Sequence, residues 1–203
     1  MKSLCFATNN SNKTEEIRAL LGPFFVLKNL RDIGCAEELP ETQATIEGNA
    51  LQKAKYVFDH YHVPCFADDT GLEVESLNGE PGVFSARYAR LNGVVGQAGE
   101  HRGDHDNIEL LLTRLATHQN RKARFKTVIA WIDQGETRTF EGIVHGTIVE
   151  TRKGSKGFGY DPIFRPHGSD KTFAEMELEE KNLISHRALA VKKLVNFLRE
   201  NYT

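Results

Sequence analysis

The chain has almost no excess charge and few cysteines, and both features limit the classes of protein to which it can belong. Its 203 residues carry a net charge of only −2 and a pI near 6.5, so nothing favours binding to a nucleic-acid backbone or to an anionic membrane. The three cysteines, Cys5, Cys35 and Cys65, are odd in number and lack CxxC spacing. They are typical of reduced core thiols, which predicts a cytoplasmic protein.

Long hydrophobic segments are also absent. No segment approaches the roughly 20 apolar residues that span a bilayer, and residues 1–7 form too short an apolar run for a signal peptide. We find no internal repeat and no low-complexity segment. With 39% hydrophobic and 27% charged residues, the chain has ordinary globular proportions, and we expect a single domain over residues 1–203 that can be bilobed.

Hydrophobic periodicity predicts helices that alternate with strands. The predicted strands are residues 4–7, 63–67, 125–132 and 140–149, and the predicted helices are residues 12–21, 45–60, 108–115 and 186–200. Residues 72–77 alternate before an Asn78-Gly79 turn, which predicts a hairpin. The glycine-rich residues 90–105 are expected to form a mobile surface loop. Helices between strands, with hairpins late in the chain, indicate an α/β fold with a mixed sheet.

Two details of the predicted helices bear on function. Asn12, followed by Glu15 three positions later, is predicted to cap the first helix. In the second helix, Asn49 and Lys53 are four residues apart and share a face, which we place opposite the apolar one.

Two adjacent acids, Asp68 and Asp69, directly follow the apolar strand of residues 63–67. Neighbouring carboxylates repel each other, and burial raises the free energy of their ionised forms. A half-buried pair therefore normally needs a cation or a basic partner. This pattern makes magnesium-dependent phosphate chemistry the working hypothesis.

The two acids need not bind the same ion, because consecutive side chains of a strand point to opposite faces. We assign Asp69 to the metal and to the activation of water. Asp68 is given a supporting role, which can include pairing with Lys53. Glu41 and Lys13 are further candidates to complete the centre. The alternative is a solvated strand end, with Glu41 as one more solvated charge in an acidic loop.

A polar segment joins the first predicted strand to the first helix. It consists of Thr8, Asn9, Asn10, Ser11, Asn12 and Lys13. Backbone N–H groups, hydroxyls, amides and one ammonium converge here, where the helix dipole favours an anion, so the segment is a candidate phosphate cradle. It matches neither GxxxxGK[ST] nor GxGxxG, which argues against P-loop and dinucleotide-binding mechanisms. The alternative is an Asn-rich turn before a capped helix.

A second glycine-rich segment, residues 154–162, contains Phe158 and Tyr160. Glycines permit close backbone approach and an aromatic ring can stack on a nucleobase, although both rings can equally pack inward. Further along, Lys181, His186 and Arg187 put three potential cations near the start of the last helix. Their alternative role is that of solvated charges at a helix end.

Taken together, these motifs resemble the inosine triphosphate pyrophosphatase family, also called dITP/XTP pyrophosphatases. The matching segments are Thr8-Asn9-Asn10-Ser11-Asn12-Lys13, Gly48-Asn49-Ala50 with Lys53-Ala54, Ala67 to Leu72, Pro81-Gly82 with Ser85-Ala86-Arg87-Tyr88, Gly157 to Phe164, and Ser185-His186-Arg187. They occur in the family's order and cover nearly the whole chain. Residues 89–105 depart from the pattern, since this loop is longer and richer in glycine than its counterpart.

The resemblance implies an activity and an architecture. The activity is the hydrolysis of ITP, dITP and XTP to the monophosphate and pyrophosphate with Mg²⁺, which keeps deaminated purines out of DNA and RNA. The implied partners are the nucleotide and a second subunit of a homodimer. Neither nucleic acid nor a membrane is expected as a partner, because the net charge is only −2. The implied fold, ITPase-like or Maf-like, is an elongated mixed β-sheet flanked by helices, with two lobes and a central active-site cleft.

The resemblance also implies roles for individual residues. Residues 8–13 hold the phosphates, Glu41 and Asp69 bind the metal, and Asp69 accepts a proton. From the acid pair and its basic neighbours, we also count Asp68 and Lys53 as catalytic. The residues that contact the nucleotide are Thr70, Phe158, Gly159, Tyr160, Asp161, Lys181, His186 and Arg187. Two alternatives remain open, namely a pyrophosphatase of related fold for pyrimidine or modified nucleotides and a non-enzymatic nucleotide sensor.

Overall fold

The structure is a computed structural model that describes residues 2–21, 25–94 and 103–202. Its strands are β1 (Lys2–Phe6), β2 (Phe25–Lys28), β3 (Cys65–Val74), β4 (Pro81–Gly82), β5 (Lys122–Asp133), β6 (Glu136–Ile148) and β7 (Phe164–Pro166). Its α-helices are α1 (Ser11–Leu21), α2 (Ile46–Tyr61), α3 (Tyr88–Leu91), α4 (Asp104–Arg114), α5 (Leu178–Ile184) and α6 (His186–Tyr202).

The strands form one mixed sheet in the order β2-β1-β3-β5-β6-β7, with β4 paired to β3. β1 is parallel to both β2 and β3, and Cys5 lies opposite Cys65 in the β1/β3 register. β4 is antiparallel to β3, and β7 is antiparallel to β6. The prediction of an α/β fold with a mixed sheet and flanking helices is therefore confirmed.

The chain divides into two compact units. The first consists of residues 1–69, 127–143 and 184–203, and the second of residues 70–126 and 144–183. The strands β3, β5 and β6 each contribute residues to both units. The predicted elongation and the predicted central cleft stay predictions.

The first unit has an aromatic core beneath α1 and α6. Phe6 of β1 stacks on Phe66 of β3, with ring centroids 4.7 Å apart. Trp131 of β5 meets the edge of Phe197 of α6 at 5.2 Å. Ile17 of α1 is fully buried in the same cluster. Large apolar side chains such as these supply most of the free energy that holds such a unit together.

The second unit has a core of its own. Phe125 packs edge-on against Phe164 at 4.7 Å, and Phe173 stacks on Phe164 at 5.3 Å. Ile108 and Leu111 of α4 are buried in this cluster, as their helical spacing predicted.

Several predicted element boundaries need correction. The predicted strand of residues 63–67 does not end at the acids, because β3 continues through Asp68, Asp69 and Gly71 to Val74. The predicted hairpin is confirmed by the β3/β4 pairing. β2 was not predicted, because its four residues are too few for a clear period.

The predicted loop of residues 90–105 is only partly described. α3 extends to Leu91 and α4 begins at Asp104, so regular structure enters the segment from both sides. Residues 95–102 lie outside the described residues. In the described part of the chain, no helix combines the length and the apolar composition needed to cross a bilayer.

Candidate active site

The polar segment between β1 and α1 contains a helix cap. The Oδ1 atom of Asn10 accepts the Lys13 N–H at 3.1 Å, and the Thr8 hydroxyl accepts the Asn10 N–H at 3.2 Å. The prediction that Asn12 caps the helix is wrong, because α1 already includes it. Residues 9–12 are exposed. The start of α1 therefore faces solvent, where the partial positive charge of a helix N-terminus favours an anion.

Asp68 lies within a buried chain of four charges. Its Oδ1 is 2.9 Å from the Lys13 ammonium, and its Oδ2 accepts a hydrogen bond from Arg187 Nε at 3.0 Å. Arg187 also donates through its terminal nitrogen to the carboxylate of Glu16. Because the four charges alternate in sign, each offsets the burial of its neighbour. The predicted pairing of Asp68 with Lys53 is wrong, because Lys53 contacts other carboxylates.

The cations of this chain set the protonation of Asp68. Burial by itself raises the pKa of Asp68, but Lys13 and Arg187 outweigh burial and hold the pKa well below its usual value. Burial also lowers the pKa of Lys13, and Asp68 opposes that change. Asp68 is thus a permanent anion that orients two cations, and it is poorly suited to accept a proton.

Asp69, the next residue of β3, has different partners. The Asn49 amide donates to its Oδ2 at 3.2 Å, and the Lys53 ammonium lies 3.9 Å from its Oδ1. The same ammonium lies 2.5 Å from Oε1 of Glu41. Burial raises the pKa of Asp69, Lys53 and Lys13 act in the opposite direction, and Glu41 adds to the increase, so the net shift is upward. Asp69 is therefore the more basic of the two acids.

The helix α2 brings Asn49 and Lys53 to Asp69. Thr45 caps this helix and accepts the Gly48 N–H at 3.0 Å. The prediction that Asn49 and Lys53 share a face is confirmed, but its assignment to the polar side is wrong. Both side chains are buried, along with Ala50. Two polar groups on a buried helix face need polar partners, and Asp69 is a partner of both.

Glu41 and Asp69 are the residues that fit a divalent cation. Hard cations such as Mg²⁺ prefer carboxylate oxygens, and these two carboxylates converge on the single ammonium of Lys53. Burial is the main cause of the raised pKa of Asp69, and the neighbouring Glu41 carboxylate adds to it. Among the described residues, no group of three or more His, Cys, Asp or Glu side chains could hold a metal ion. The pair thus fits a cation that keeps waters or substrate oxygens among its ligands, as Mg²⁺ usually does.

His186 begins α6 and is buried. Its Nδ1 lies 2.6 Å from the Thr127 hydroxyl of β5, so the ring is held in one orientation. A Cβ atom on Gly142 of β6 would lie 2.0 Å from the His186 carbonyl oxygen, which explains how the strand and the helix start can approach so closely. The alternative of a solvated helix end is wrong for His186 and Arg187, since both are at most 3% exposed.

In the second unit, Asp161 and Lys181 form a buried ion pair. The Lys181 ammonium lies 2.6 Å from Oδ2 of Asp161, and both side chains are 4% exposed. The same carboxylate oxygen accepts the Phe158 N–H at 3.0 Å. The Lys181 ammonium also lies 5.1 Å from the centroid of the Phe158 ring. This half-buried ring thus has one face near a cation, an arrangement that stabilises both groups.

The other predicted contacts of the second unit have structural partners. Tyr160 packs inward, as its alternative role predicted, and its hydroxyl donates to the Ser85 carbonyl at 3.0 Å. The Gly159 N–H donates to the Asp104 carboxylate at 2.6 Å. Thr70 follows Asp69 in β3 and is half-buried.

The predicted site residues thus fall into two groups. The first unit contains Thr8, Asn9, Asn10, Ser11, Asn12, Lys13, Glu41, Lys53, Asp68, Asp69, His186 and Arg187, and the second contains Thr70, Phe158, Gly159, Tyr160, Asp161 and Lys181. Their contacts with a nucleotide stay predictions. Glu16 and Thr127 were missed as partners of these residues, and Asn49 was predicted only to share a helix face with Lys53. The available signal for Glu16 was an acid beside Ile17, on the apolar stripe of the first helix.

The chain matches a family model over almost its whole length. The Ham1 family model covers residues 4–197. A protein of Flavobacterium psychrophilum named dITP/XTP pyrophosphatase is 52% identical over 196 residues, which are 97% of this chain and 98% of that protein. A protein of Flavobacterium johnsoniae with the same name is 51% identical over 96% of this chain and 97% of its own length.

A solved structure agrees with these matches. The Ham1 protein of Staphylococcus aureus superimposes with a TM-score of 0.85 at 38% identity, over 98% of this chain and 99% of that one. Sequence and backbone therefore point to the same group of proteins.

Proposed function

Because this chain belongs to the Ham1 family, we propose that it hydrolyses non-standard purine nucleoside triphosphates to the monophosphate and pyrophosphate. The substrates of the proposal are ITP, dITP and XTP, in accordance with the dITP/XTP pyrophosphatase name of its relatives. The proposed role is to keep deaminated purines out of DNA and RNA.

One observation carries the proposal: Asp69 is a buried carboxylate with a raised pKa, next to Lys53 and Glu41. A general base works best when its pKa approaches the working pH, and burial shifts Asp69 in that direction. Asp69 is proposed to orient the attacking water and to accept its proton during attack at the α-phosphorus. The acid beside it, Asp68, stays ionised and holds Lys13 and Arg187.

The substrate's charge is the main obstacle that the site must overcome. A triphosphate carries about four negative charges, which repel a nucleophile and a basic carboxylate alike. Lys13 and Lys53 supply positive charge close to Asp69, and the exposed start of α1 adds N–H donors. These groups are proposed to bind the phosphates and to stabilise the charge on the departing pyrophosphate.

Glu41 and Asp69 would hold Mg²⁺ in this proposal. When bound, the ion polarises phosphoryl oxygens and lowers the pKa of associated water. Lys53, which contacts both carboxylates, would supply positive charge for the phosphates beside the ion. The proposal rests on the two carboxylates as oxygen donors and on their shared contact with Lys53.

Recognition of the base requires a donor at O6 of a 6-oxopurine, because adenine carries an amino group there. His186 and Arg187 of the first unit are the proposed donors. A buried donor that loses its partner penalises the wrong base strongly. The fixed ring of His186, held by Thr127, supports this role.

The proposal also includes the cellular location and the oligomeric state of the protein. A cytoplasmic location is supported by three free, buried cysteines, which are common where thiols stay reduced. The homodimer is proposed from the motif resemblance.

A substrate panel tests the proposal. Purified protein is incubated with ITP, dITP, XTP, ATP, GTP, CTP and UTP in excess Mg²⁺, and pyrophosphate and orthophosphate are measured separately. We expect ITP, dITP and XTP to yield one pyrophosphate per nucleotide, with little turnover of the standard nucleotides and none after chelation of the metal.

Two results would contradict the proposal. A preference for pyrimidine or modified triphosphates would indicate the first alternative, a pyrophosphatase of related fold. Tight binding of ITP without turnover in excess Mg²⁺ would indicate a nucleotide sensor.

A further inference from the structure

We propose that Gln52 is a positioning residue that holds the segment carrying Glu41 in place for the divalent cation. This inference rests on the proposed function, because it concerns the same metal centre. Gln52 belongs to none of the predicted catalytic, nucleotide-binding or metal-binding residues. It lies on α2, one residue before Lys53.

Gln52 makes two hydrogen bonds to a single residue, Thr42. Its Oε1 accepts the Thr42 N–H at 2.9 Å, and its Nε2 donates to the Thr42 hydroxyl oxygen at 2.8 Å. Both ends of the amide are engaged, so its orientation and that of Thr42 are fixed together. Glu41 precedes Thr42 directly, and its backbone is therefore fixed from the C-terminal side.

A second amide of α2 continues this attachment. Asn49 lies one turn before Gln52, and its Oδ1 accepts the N–H of Gln43 at 2.9 Å. Its Nδ2 donates to Asp69 at 3.2 Å. Two consecutive loop residues, Thr42 and Gln43, are thus bonded to the helix that also contacts Asp69. Residues three and four positions apart on a helix lie on the same side of it, so Asn49 and Gln52 can both bond to the loop at residues 42–43.

The other side of Glu41 is attached to the same helix. The carboxylate of Glu37 accepts hydrogen bonds from the hydroxyls of Tyr56 at 3.2 Å and Tyr61 at 2.7 Å. Glu41 thus lies between two attachments to α2, one at Glu37 and one at Thr42.

Glu41 needs this support because residues 34–45 contain no helix or strand. The Glu41 side chain is 33% exposed. Its carboxylate shares Lys53 with the carboxylate of Asp69, and the two like charges repel each other. Without attachments, the two carboxylates would separate when no cation is bound, and binding would then require the loop to be ordered again. A site that is already ordered binds more tightly, because that entropic cost has been met during folding.

The decisive variant is Gln52→Ala, measured by the binding of Mn²⁺ alone to the intact protein. Free Mn²⁺ is counted by electron paramagnetic resonance, so the readout does not depend on turnover. We expect the dissociation constant to rise about fivefold, as the loss of ordinary hydrogen bonds suggests. At saturating Mg²⁺, kcat for ITP should stay within about twofold of wild type.

Thr42 provides partial and conservative variants. Thr42→Ser retains both bonds and should bind Mn²⁺ as wild type does. Thr42→Val retains only the backbone bond and should lie between wild type and Gln52→Ala. The double variant of Gln52→Ala and Thr42→Val should be no weaker than Gln52→Ala alone, since the hydroxyl then has no amide to bind. Lys55→Ala, an exposed change on the same helix, is the control and should leave binding and activity unchanged.

The outcomes separate this inference from the proposed function. If wild-type protein neither binds Mn²⁺ nor hydrolyses ITP, the proposed function is wrong and Gln52 has no metal centre to support. If wild type does both, but Gln52→Ala binds Mn²⁺ as tightly as Lys55→Ala does, the positioning role is overturned. Should Gln52→Ala fail to fold, an unchanged dissociation constant in Thr42→Val would overturn it equally.

Discussion

Asp68 and Asp69 are consecutive in β3, yet their carboxylates contact different sets of partners. Asp68 meets Lys13 and Arg187, whereas Asp69 meets Asn49 and Lys53. Alternating strand geometry sends neighbouring side chains to opposite faces, and here each face provides a different environment. The pKa of Asp68 is lowered and that of Asp69 is raised. Replacing Asp68 should therefore lower the free energy of unfolding, whereas replacing Asp69 should not.

The first prediction concerns Asp69→Asn. An amide cannot accept the proton of the attacking water, so kcat for ITP should fall by at least about 100-fold. The fold should persist, because the amide needs no compensating charge beside Glu41, and the free energy of unfolding should equal or exceed that of wild type. Steady-state kinetics and urea unfolding check the two parts. Activity close to wild type would refute the role of Asp69 as the base.

The second prediction concerns Asp68→Asn. This change leaves the buried charges of Lys13 and Arg187 with less compensation, and we expect a loss of roughly 3 kcal/mol in the free energy of unfolding. Urea unfolding at neutral pH measures the loss, with Asp69→Asn as the matched control one residue away. Equal stability of the two variants would contradict the division of roles between the acids.

The third prediction concerns Arg187, which is proposed to contact the base and also bonds to Asp68 and Glu16. Arg187→Ala should erode the preference for ITP over ATP more than it slows catalysis. It should also lower the free energy of unfolding by about 4 kcal/mol, because two buried carboxylates lose a partner. The ratio of kcat/KM for the two nucleotides, measured well below the unfolding temperature, checks the first part.

Glu16→Gln is the control for this third prediction. It should also destabilise the protein, but it keeps the guanidinium and should preserve the ITP preference. An unchanged preference in Arg187→Ala would rule out the proposed contact. An equal loss of preference in both variants would show that the position of Arg187, not its direct contact, sets selectivity.

The regular elements were largely predictable, because their side chains follow clear periods. The apolar positions of α4 and α6 predicted both helices, and the predicted strands of residues 125–132 and 140–149 correspond to β5 and β6. β3 was the main error. Two acids and a glycine are typical of a strand end, but tertiary partners compensate the buried charges, so the strand continues to Val74. Arg187 lies 119 residues from Asp68, and no local pattern reveals such a partner.

The residue types of the site were predictable from the sequence, but the contacts between these residues were less predictable. Lys13, Glu41 and Lys53 were correctly identified as polar residues that surround the acids. The pairing among them was predicted wrongly, because the choice between Lys13 and Lys53 as partner of Asp68 depends on which face of β3 each helix covers. For Asn49, only the spacing to Lys53 was predicted. Its side chain is neutral, so nothing in the sequence indicates that it contacts the Asp69 carboxylate.

The fourth prediction compares two glycines in the loop before Asp161. Gly157 and Gly159 both have positive φ angles, of 73° and 61°. A Cβ atom at residue 157 would lie 2.1 Å from the Asp161 carboxylate, whereas a Cβ at residue 159 would meet nothing within 4 Å. Gly159→Ala should therefore cost only the backbone strain, about 1 kcal/mol.

Gly157→Ala should cost more than its control, roughly 3 kcal/mol, because the added methyl group displaces the carboxylate that Lys181 and the Phe158 N–H share. Thermal and urea unfolding of the two variants give the comparison. Equal losses would mean that Asp161 can move aside without weakening its ion pair.

The fifth prediction is a pH dependence at Glu37. The hydrogen bond from Tyr61 is the largest cause that lowers the pKa of Glu37 from 4.5 to about 2. Since the folded pKa lies below the unfolded one, the stabilising contribution is complete above about pH 4.5 and disappears as the pH falls towards 2. The difference in the free energy of unfolding between wild type and Tyr61→Phe should therefore shrink as the pH falls from about 6 to 3.

Tyr56→Phe is the matched control for this titration. Its hydroxyl is farther from Glu37, at 3.2 Å against 2.7 Å, and it is the smaller cause of the lowered pKa. Its effect should follow the same pH course with a smaller amplitude. Urea unfolding at a series of pH values gives both curves. A stability difference for Tyr61→Phe that does not vary with pH would mean that the hydroxyl supports the Glu37 segment by packing alone, without favouring the ionised carboxylate.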